Sequence, residues 1–363
     1  MKIAIFHNFL DNIGGAEIVT LTLAKELEAD IYTTNIDNDK IKLMGFDPAN
    51  IHSIGRVPAN APFRQQWALF LFRYLNLKDK YDFFIIAGDW AMSGAVNNKP
   101  NLWYVHSPIR EIWDLYEHTR KNTVPWFARW IFDGWVKFNR YLNRKYVQHV
   151  DQLVCNSLNT QDRIKKYLKK DAVVIYPPIE TSKYAHQING DFWLSVNRLI
   201  GHKRVDMQIE AFKKMPEEKL VIVGSYEQSR HFKQYASFIN AQKAENVEIL
   251  NWIDDQCLID LYSRCKGFIT TAQEEDFGMS PVEAMASGKP VIAPNEGGYR
   301  ETVIHGATGT LIDQIDVERL IASIKSFGDN TGTYKDACLD QALKFDTKVF
   351  IAKINGIIHE HHR

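Results

Sequence analysis

Two doubly wound, Rossmann-like α/β domains are predicted by this sequence, on three observations. Short apolar runs alternate with longer helical patterns along the whole chain, the signature of parallel βαβ units. The apolar runs fall into two sets of about six. The chain has 363 residues, 45% hydrophobic and 24% charged, which is enough for two domains of ordinary size, each with its own core.

Strands of the first domain are predicted near Ile3–His7, Asp30–Thr33, Phe83–Ala87, Leu102–His106, Gln152–Asn156 and Val173–Tyr176. Pro177-Pro178 stops the last of these, and a polar stretch from Thr181 to Asp191 follows before Phe192-Trp193 opens the second set. There the strands are predicted near Trp193–Asn197, Leu220–Gly224, Val247–Leu250, Gly267–Thr271, Pro290–Ala293 and Thr308–Ile312. From Thr347 to Ile358 the apolar residues Val349, Phe350, Ala352, Ile354 and Ile357 recur at helical spacing, and His359, His361 and His362 read as a frayed tail. The expected domains are 1–180 and 181–346, with a C-terminal helix in 347–363 that packs back on the first.

Forty-four Lys and Arg balance forty-four Asp and Glu. A zero sum argues against a general polyanion binder, so no nucleic-acid partner is expected. Four cysteines, at 155, 257, 265 and 338, form no CxxC pair and are too sparse for a disulfide scaffold or zinc knuckle. Reduced thiols in a cytoplasm are expected. The apolar run in MKIAIFHNFL is too short for a signal peptide, and no stretch nears the ~18 apolar residues of a membrane span. Seven of the nine tryptophans lie in the first 135 residues.

Three segments carry candidate chemistry. After the first strand, Gly14-Gly15-Ala16-Glu17 opens an amphipathic helix; glycines there let amides approach a ligand, and a helix N-terminus favours an anion. This is not GxGxxG, so a dinucleotide site is unsupported, and a turn that needs positive φ is the plain structural alternative. The strand from Phe192 ends in Arg198-Leu199-Ile200-Gly201-His202-Lys203, which sends two cations to the edge where ligands of doubly wound domains sit. Arg offers a planar fork to phosphate oxygens and Lys a compact charge, against the alternative of a solvated basic loop. The strand at Gly267–Thr271 runs into Glu274-Glu275-Asp276-Phe277-Gly278-Met279-Ser280-Pro281-Val282-Glu283. Ser280, Pro281 and Glu283 have the spacing of a capping box, which would account for Glu283 without any function.

The order and spacing of these segments resemble glycosyltransferase family four, retaining enzymes of the GT-B fold, which implies that the two domains face each other across a cleft. Glu275 and Glu283 are separated by seven residues, as in that family's E-x7-E motif, here EDFGMSPVE; upstream lie SVNRLIGHKRVD and VIVG, downstream GKPVIAPNEGGYRETVIHGATG. The resemblance covers most of the chain and is strongest from 192 to 312. It implies that Glu283 binds the donor ribose, that Glu275 contacts the transferred sugar, and that Arg198 and Lys203 hold the diphosphate. It further implies that the amides of Phe277, Gly278, Met279 and Ser280 face the sugar and diphosphate, and that Gly14 and Gly15 approach the donor phosphate and acceptor. The chain at Trp252 and Ile253 would meet the base, and His106, in HSPIREIWDLY, would lie near the anomeric carbon. Two departures stand out: Asn197 replaces a usual glycine, and Asp276 replaces the first glycine of the EGFG loop, so its carboxylate should turn outward. HSPIREIWDLY is also similar to a subgroup of mannosyltransferases that build surface polysaccharides or glycolipids, which implies GDP-mannose as donor.

The implied reaction moves a hexose from a nucleotide diphosphate sugar to a glycan or lipid-linked hydroxyl with retention, without a cofactor. Charge must then be stabilised on both an oxocarbenium-like ring and the leaving diphosphate. Asp37-Asn38-Asp39 fits the DxD pattern of metal-dependent transferases but sits in a polar turn, and no metal site is assigned. An epimerase, a phosphorylase and a non-catalytic nucleotide-sugar binder on the same architecture remain alternatives. Residues 120–145 hold seven Lys or Arg against one acid, Asp133, with Phe127, Ile131, Trp135, Phe138 and Leu142 at helical spacing. This stretch, with FRQQWALFLFRYLNL (63–77), reads as a peripheral contact with an anionic membrane on the inner face of the cell, or as two core helices with basic outer faces.

Overall fold

A computed structural model describes residues 1–12, 14–187, 190–225, 230–251, 253–328 and 330–361. The chain divides into two compact units, Met1–Tyr176 together with the residues from Ile351 onward, and Pro177–Phe350.

The first unit holds a seven-stranded parallel sheet: β1 (Ile3–Phe6), β2 (Asp30–Thr33), β3 (Ile51–Ser53), β4 (Phe83–Ile86), β5 (Asn101–Val105), β6 (Gln152–Cys155) and β7 (Val173–Val174), in the order β3-β2-β1-β4-β5-β6-β7. Strands β1, β4 and β5 are buried throughout, as expected of a parallel sheet covered on both faces. β3 was not predicted. Its three residues include exposed His52 and Ser53, so no apolar run announces it.

The second unit holds a six-stranded parallel sheet: β8 (Phe192–Arg198), β9 (Lys219–Ser225), β10 (Val247–Leu250), β11 (Phe268–Ile269), β12 (Val291–Pro294) and β13 (Gly309–Ile312), in the order β10-β9-β8-β11-β12-β13. Both sheets are therefore doubly wound, as predicted. In the first, the chain leaves β1 towards β2 and returns to β4 on the other side; in the second, it leaves β8 towards β9 and returns to β11. The crevice at such a reversal, outside the C-terminal strand ends, is where open α/β sheets bind ligands.

Other expectations need correction. The C-terminal helix runs Thr347–His361, so His359 and His361 are helical and not a frayed tail; His362 lies outside the described residues. The tryptophan excess of the first unit is only partly a surface feature, because Trp90, Trp103 and Trp113 are buried core residues. The apolar set read in residues 120–145 also splits. Leu142 is buried and Trp135 packs on the core, whereas Phe127, Ile131 and Phe138 are exposed.

Candidate active site

In the second unit, the loops after β8 and β11 meet at the reversal. Lys203 ends a short 3₁₀ turn, Gly201–Lys203, and its Nζ lies 2.5 Å from Glu275 Oε2. Both side chains are largely buried there. The loops are laced further by backbone: the Gln273 amide donates to the His202 carbonyl, and Thr271 Oγ1 donates to the Lys203 carbonyl at 2.8 Å. Arg204, which the sequence reading passed over, ties in a third loop. Its Nε donates to the Thr271 carbonyl, and its guanidinium pairs with Glu296 in the turn after β12. Arg198, the last residue of β8, is exposed at the same strand end. Asn197 keeps ordinary strand register opposite Gly224, and its amide donates to Ser195 Oγ.

The acidic loop lies on glycines. Gly298 N donates to the Glu275 carbonyl at 2.8 Å, and a Cβ on Gly298 would come within 2.4 Å of Phe277 Cα. Phe277 itself points into the core, edge-on to Phe345. Asp276 is half-buried, so it is not wholly turned to solvent.

The capping box is overturned. The helix after the loop runs Met279–Ala286 with Gly278, at φ +90°, as N-cap, so Ser280 and Pro281 already lie inside it. Freed from capping, Glu283 Oε2 accepts the Tyr262 hydroxyl at 2.7 Å. Ser280 also bonds to that phenol, and Tyr184 meets its ring edge-on at 5.8 Å. Burial lifts the Glu283 carboxyl to about 7, partly opposed by the Tyr262 bond. Tyr262 was missed because a tyrosine in DQCLIDLYSR reads as an ordinary core position.

Ile253 lines a pocket of about 530 Å³ with Leu250 and, from the Asp255–Arg264 helix, Gln256, Cys257, Asp260, Leu261 and Arg264. Trp252 lies outside the described residues. Asp37 is the N-cap of the Asn38–Leu43 helix and accepts the Lys40 amide, which holds its carboxyl below the usual range.

The first unit carries its own cluster at the reversal between β1 and β4. Gly14 caps the Gly15–Glu26 helix in extended conformation, φ −167°, so the glycine pair does not serve a positive-φ turn. A Cβ on Gly14 would meet the Glu17 carboxylate at 2.6 Å. Glu17 lies 3.7 Å from His7 Nε2, and His7 Nδ1 meets Thr20 Oγ1. His106 follows β5, edge-on to Tyr104, with Nε2 buried and without a hydrogen-bond partner among the described residues. Burial first, and then His7, push its pKa down to about 3, so the ring is neutral at physiological pH. After β4, Asn8 holds Asp89 at 2.5 Å. Burial and the neighbouring Asp89 raise Glu111 to about 7. The sequence reading named His106, Gly14 and Gly15 here, and missed His7, Glu17, Asp89 and Glu111.

Similarity to known proteins accords with this geometry. Residues 13–183 match the family model described as Glycosyltransferase Family 4, and residues 178–338 the model described as Glycosyl transferases group 1. An uncharacterised glycosyltransferase of Methanocaldococcus jannaschii is 27% identical over 175 residues, 48% of this chain and 49% of that protein, so the chain spans about half of that relative. An alpha-1,3/1,6-mannosyltransferase ALG2 of Candida glabrata is 30% identical over an alignment of 380 residues, 84% of this chain and 78% of that protein. In fold, the chain is similar to the crystal structure of Anabaena HepE in complex with UDP and glucose, with TM-score 0.75, 18% identity and 99% of each chain covered. Two parallel-sheet units of this fold, together with these family matches, make the chain a GT-B glycosyltransferase. More particularly, the chain belongs to glycosyltransferase family four.

Proposed function

We propose that this glycosyltransferase is a retaining, metal-independent hexosyltransferase that moves mannose from GDP-mannose to a hydroxyl of a glycan or lipid-linked acceptor, with its first unit at an anionic membrane. The observation that carries this reading is the contact of Lys203 with Glu275 at the β8–β11 reversal, which puts a cation beside the acid that in this reading meets the sugar. The mannosyltransferase named among the relatives favours mannose as the sugar.

In this reading Arg198 and Lys203 take the diphosphate, Glu275 the transferred sugar and Glu283 the ribose, with the amides of the Met279–Ala286 helix start facing the phosphates. No covalent nucleophile is assigned. The bond from the anomeric carbon to the phosphate oxygen breaks, the acceptor oxygen bonds to the same face, and its proton passes to the leaving phosphate. A His106 ring that stays neutral down to about pH 3 fits positioning of sugar or acceptor and not proton donation near neutrality.

A panel of GDP- and UDP-sugars, assayed with a chelator present for binding, slow hydrolysis and transfer, tests the proposal. GDP-mannose should give the highest turnover, and Glu275→Ala and Lys203→Ala should each lower it by at least about 100-fold. Intact transfer in both variants sinks the site assignment. Donor binding without release of nucleotide diphosphate would favour a non-catalytic binder, and loss of activity to the chelator that manganese restores would overturn metal independence.

A further inference from the structure

Two helices of the first unit leave rows of aromatic rings in solvent. On the Phe63–Tyr74 helix, Phe63, Trp67, Phe70 and Tyr74 fall at i, i+4, i+7 and i+11, while Ala68, Leu69 and Phe72 fill the core. The exposed rings touch in series, Trp67 to Phe70 at 5.7 Å and Phe70 to Tyr74 at 4.8 Å. The second row is Phe127, Trp130, Ile131, Phe138 and Tyr141, preceded by Trp126, along the Trp126–Ala128 turn and the Arg129–Tyr146 helix. That helix buries another face, Val136, Asn139, Leu142, Asn143 and Tyr146, so the exposed apolar row is not its core side. Gln66 Nε2 donates to Asn139 Oδ1 at 2.7 Å and makes the two helices neighbours.

These ten side chains are 49% to 79% exposed. Two rows of exposed apolar side chains on neighbouring helices mark a partner site. The surrounding charge says which partner. Lys121, Lys137 and Lys145 are exposed beside the second row, whereas the only acid of residues 120–145, Asp133, is already bonded to Arg120 and Tyr116. A second copy of the chain would bring like charges together; an anionic bilayer would complement them. Trp and Tyr rings, apolar with one polar edge, settle at headgroup depth.

We infer that both rows together form one bilayer-docking face, in which inserted rings carry the binding and the lysines select anionic lipid. This rests on the reading that the first unit works at a membrane, and adds the side chains that insert and the mode of attachment. Attachment by rings resists salt, unlike attachment by charge alone, which is screened within about 3 Å at 1 M.

The full chain is mixed with vesicles of phosphatidylcholine alone or with equal phosphatidylglycerol, at low salt and at about 1 M salt. Wild type should bind the anionic vesicles, keep most of that binding in salt, and have its tryptophan emission quenched by brominated acyl chains. The variants Phe63→Ser/Trp67→Ser/Phe70→Ser and Trp126→Ser/Phe127→Ser/Trp130→Ser should each bind at least about ten-fold more weakly. Quenching in the wild type keeps the question open to test if a variant folds poorly. Unchanged binding in both variants, with loss on Lys121→Gln/Lys137→Gln/Lys145→Gln, overturns insertion and leaves the membrane reading standing. Wild type that ignores every vesicle sinks the membrane reading itself. A lipid-free dimer that either aromatic variant converts to monomer, without effect on vesicles, assigns the face to a second copy instead.

Discussion

Glu283 makes no ion pair among the described residues: its donor is the Tyr262 phenol, itself fully buried between Ser280 and Tyr184. A bond to a carboxylate of this kind is worth roughly 1.5–3 kcal/mol, and its loss frees the acid to turn. Tyr262→Phe should therefore weaken nucleotide-sugar binding about ten-fold or more, with kcat little changed, since the phenol acts through Glu283 and not on the sugar. Calorimetric titration of the donor beside steady-state kinetics checks this; an unaltered Kd would show that Glu283 needs no such support. The residue types at the site were legible: Arg198, Lys203 and Glu275 stood out as charges at or just beyond strand ends, and Glu283 by its spacing from Glu275. Their partnerships were not. The Ser280-Pro281-x-Glu283 spacing is shared by a capping box and by an ordinary first turn, and only the position of Gly278 decides between them.

The acidic loop keeps its place because another loop leaves room for it. Gly297, at φ +57°, and Gly298 pass so close beneath Glu275 and Phe277 that neither has space for a side chain. Gly298→Ala should cost about 2–3 kcal/mol and lower donor affinity together with Tm, because its Cβ must push the loop backbone away. A scanning-calorimetry trace and donor titration unchanged from wild type would contradict this. At this scale the sequence was most readable. Twelve strands were predicted and found, most of them because buried parallel strands appear as short apolar runs. What escaped was set by contacts between distant segments: β3, with two exposed residues in three, and the two-faced Arg129–Tyr146 helix, whose buried asparagines hid the core side.

Across the whole molecule, buried ionisable groups in both units set the response to pH. Glu111 and Glu283 titrate near 7 when folded, against an ordinary 4.5, so the folded state holds more protons between those limits. Their contribution to stability falls as pH rises from about 4.5 to about 7. His106 runs the other way: its folded value near 3 lies below 6.5, and its contribution is lost as pH falls through that interval. Glu283→Gln removes one declining contribution. Relative to wild type, its Tm should improve by several degrees between pH 5 and pH 8; a gap independent of pH, followed by differential scanning, would refute the assignment.

The exposed aromatic rows have one more consequence, for the protein away from lipid. With 44 cationic and 44 anionic side chains, the chain has no net charge near neutrality to keep its copies apart. Its colloidal behaviour then depends on what covers those rings, and a vesicle surface or a mild detergent does for solubility what mutual repulsion does in a charged protein.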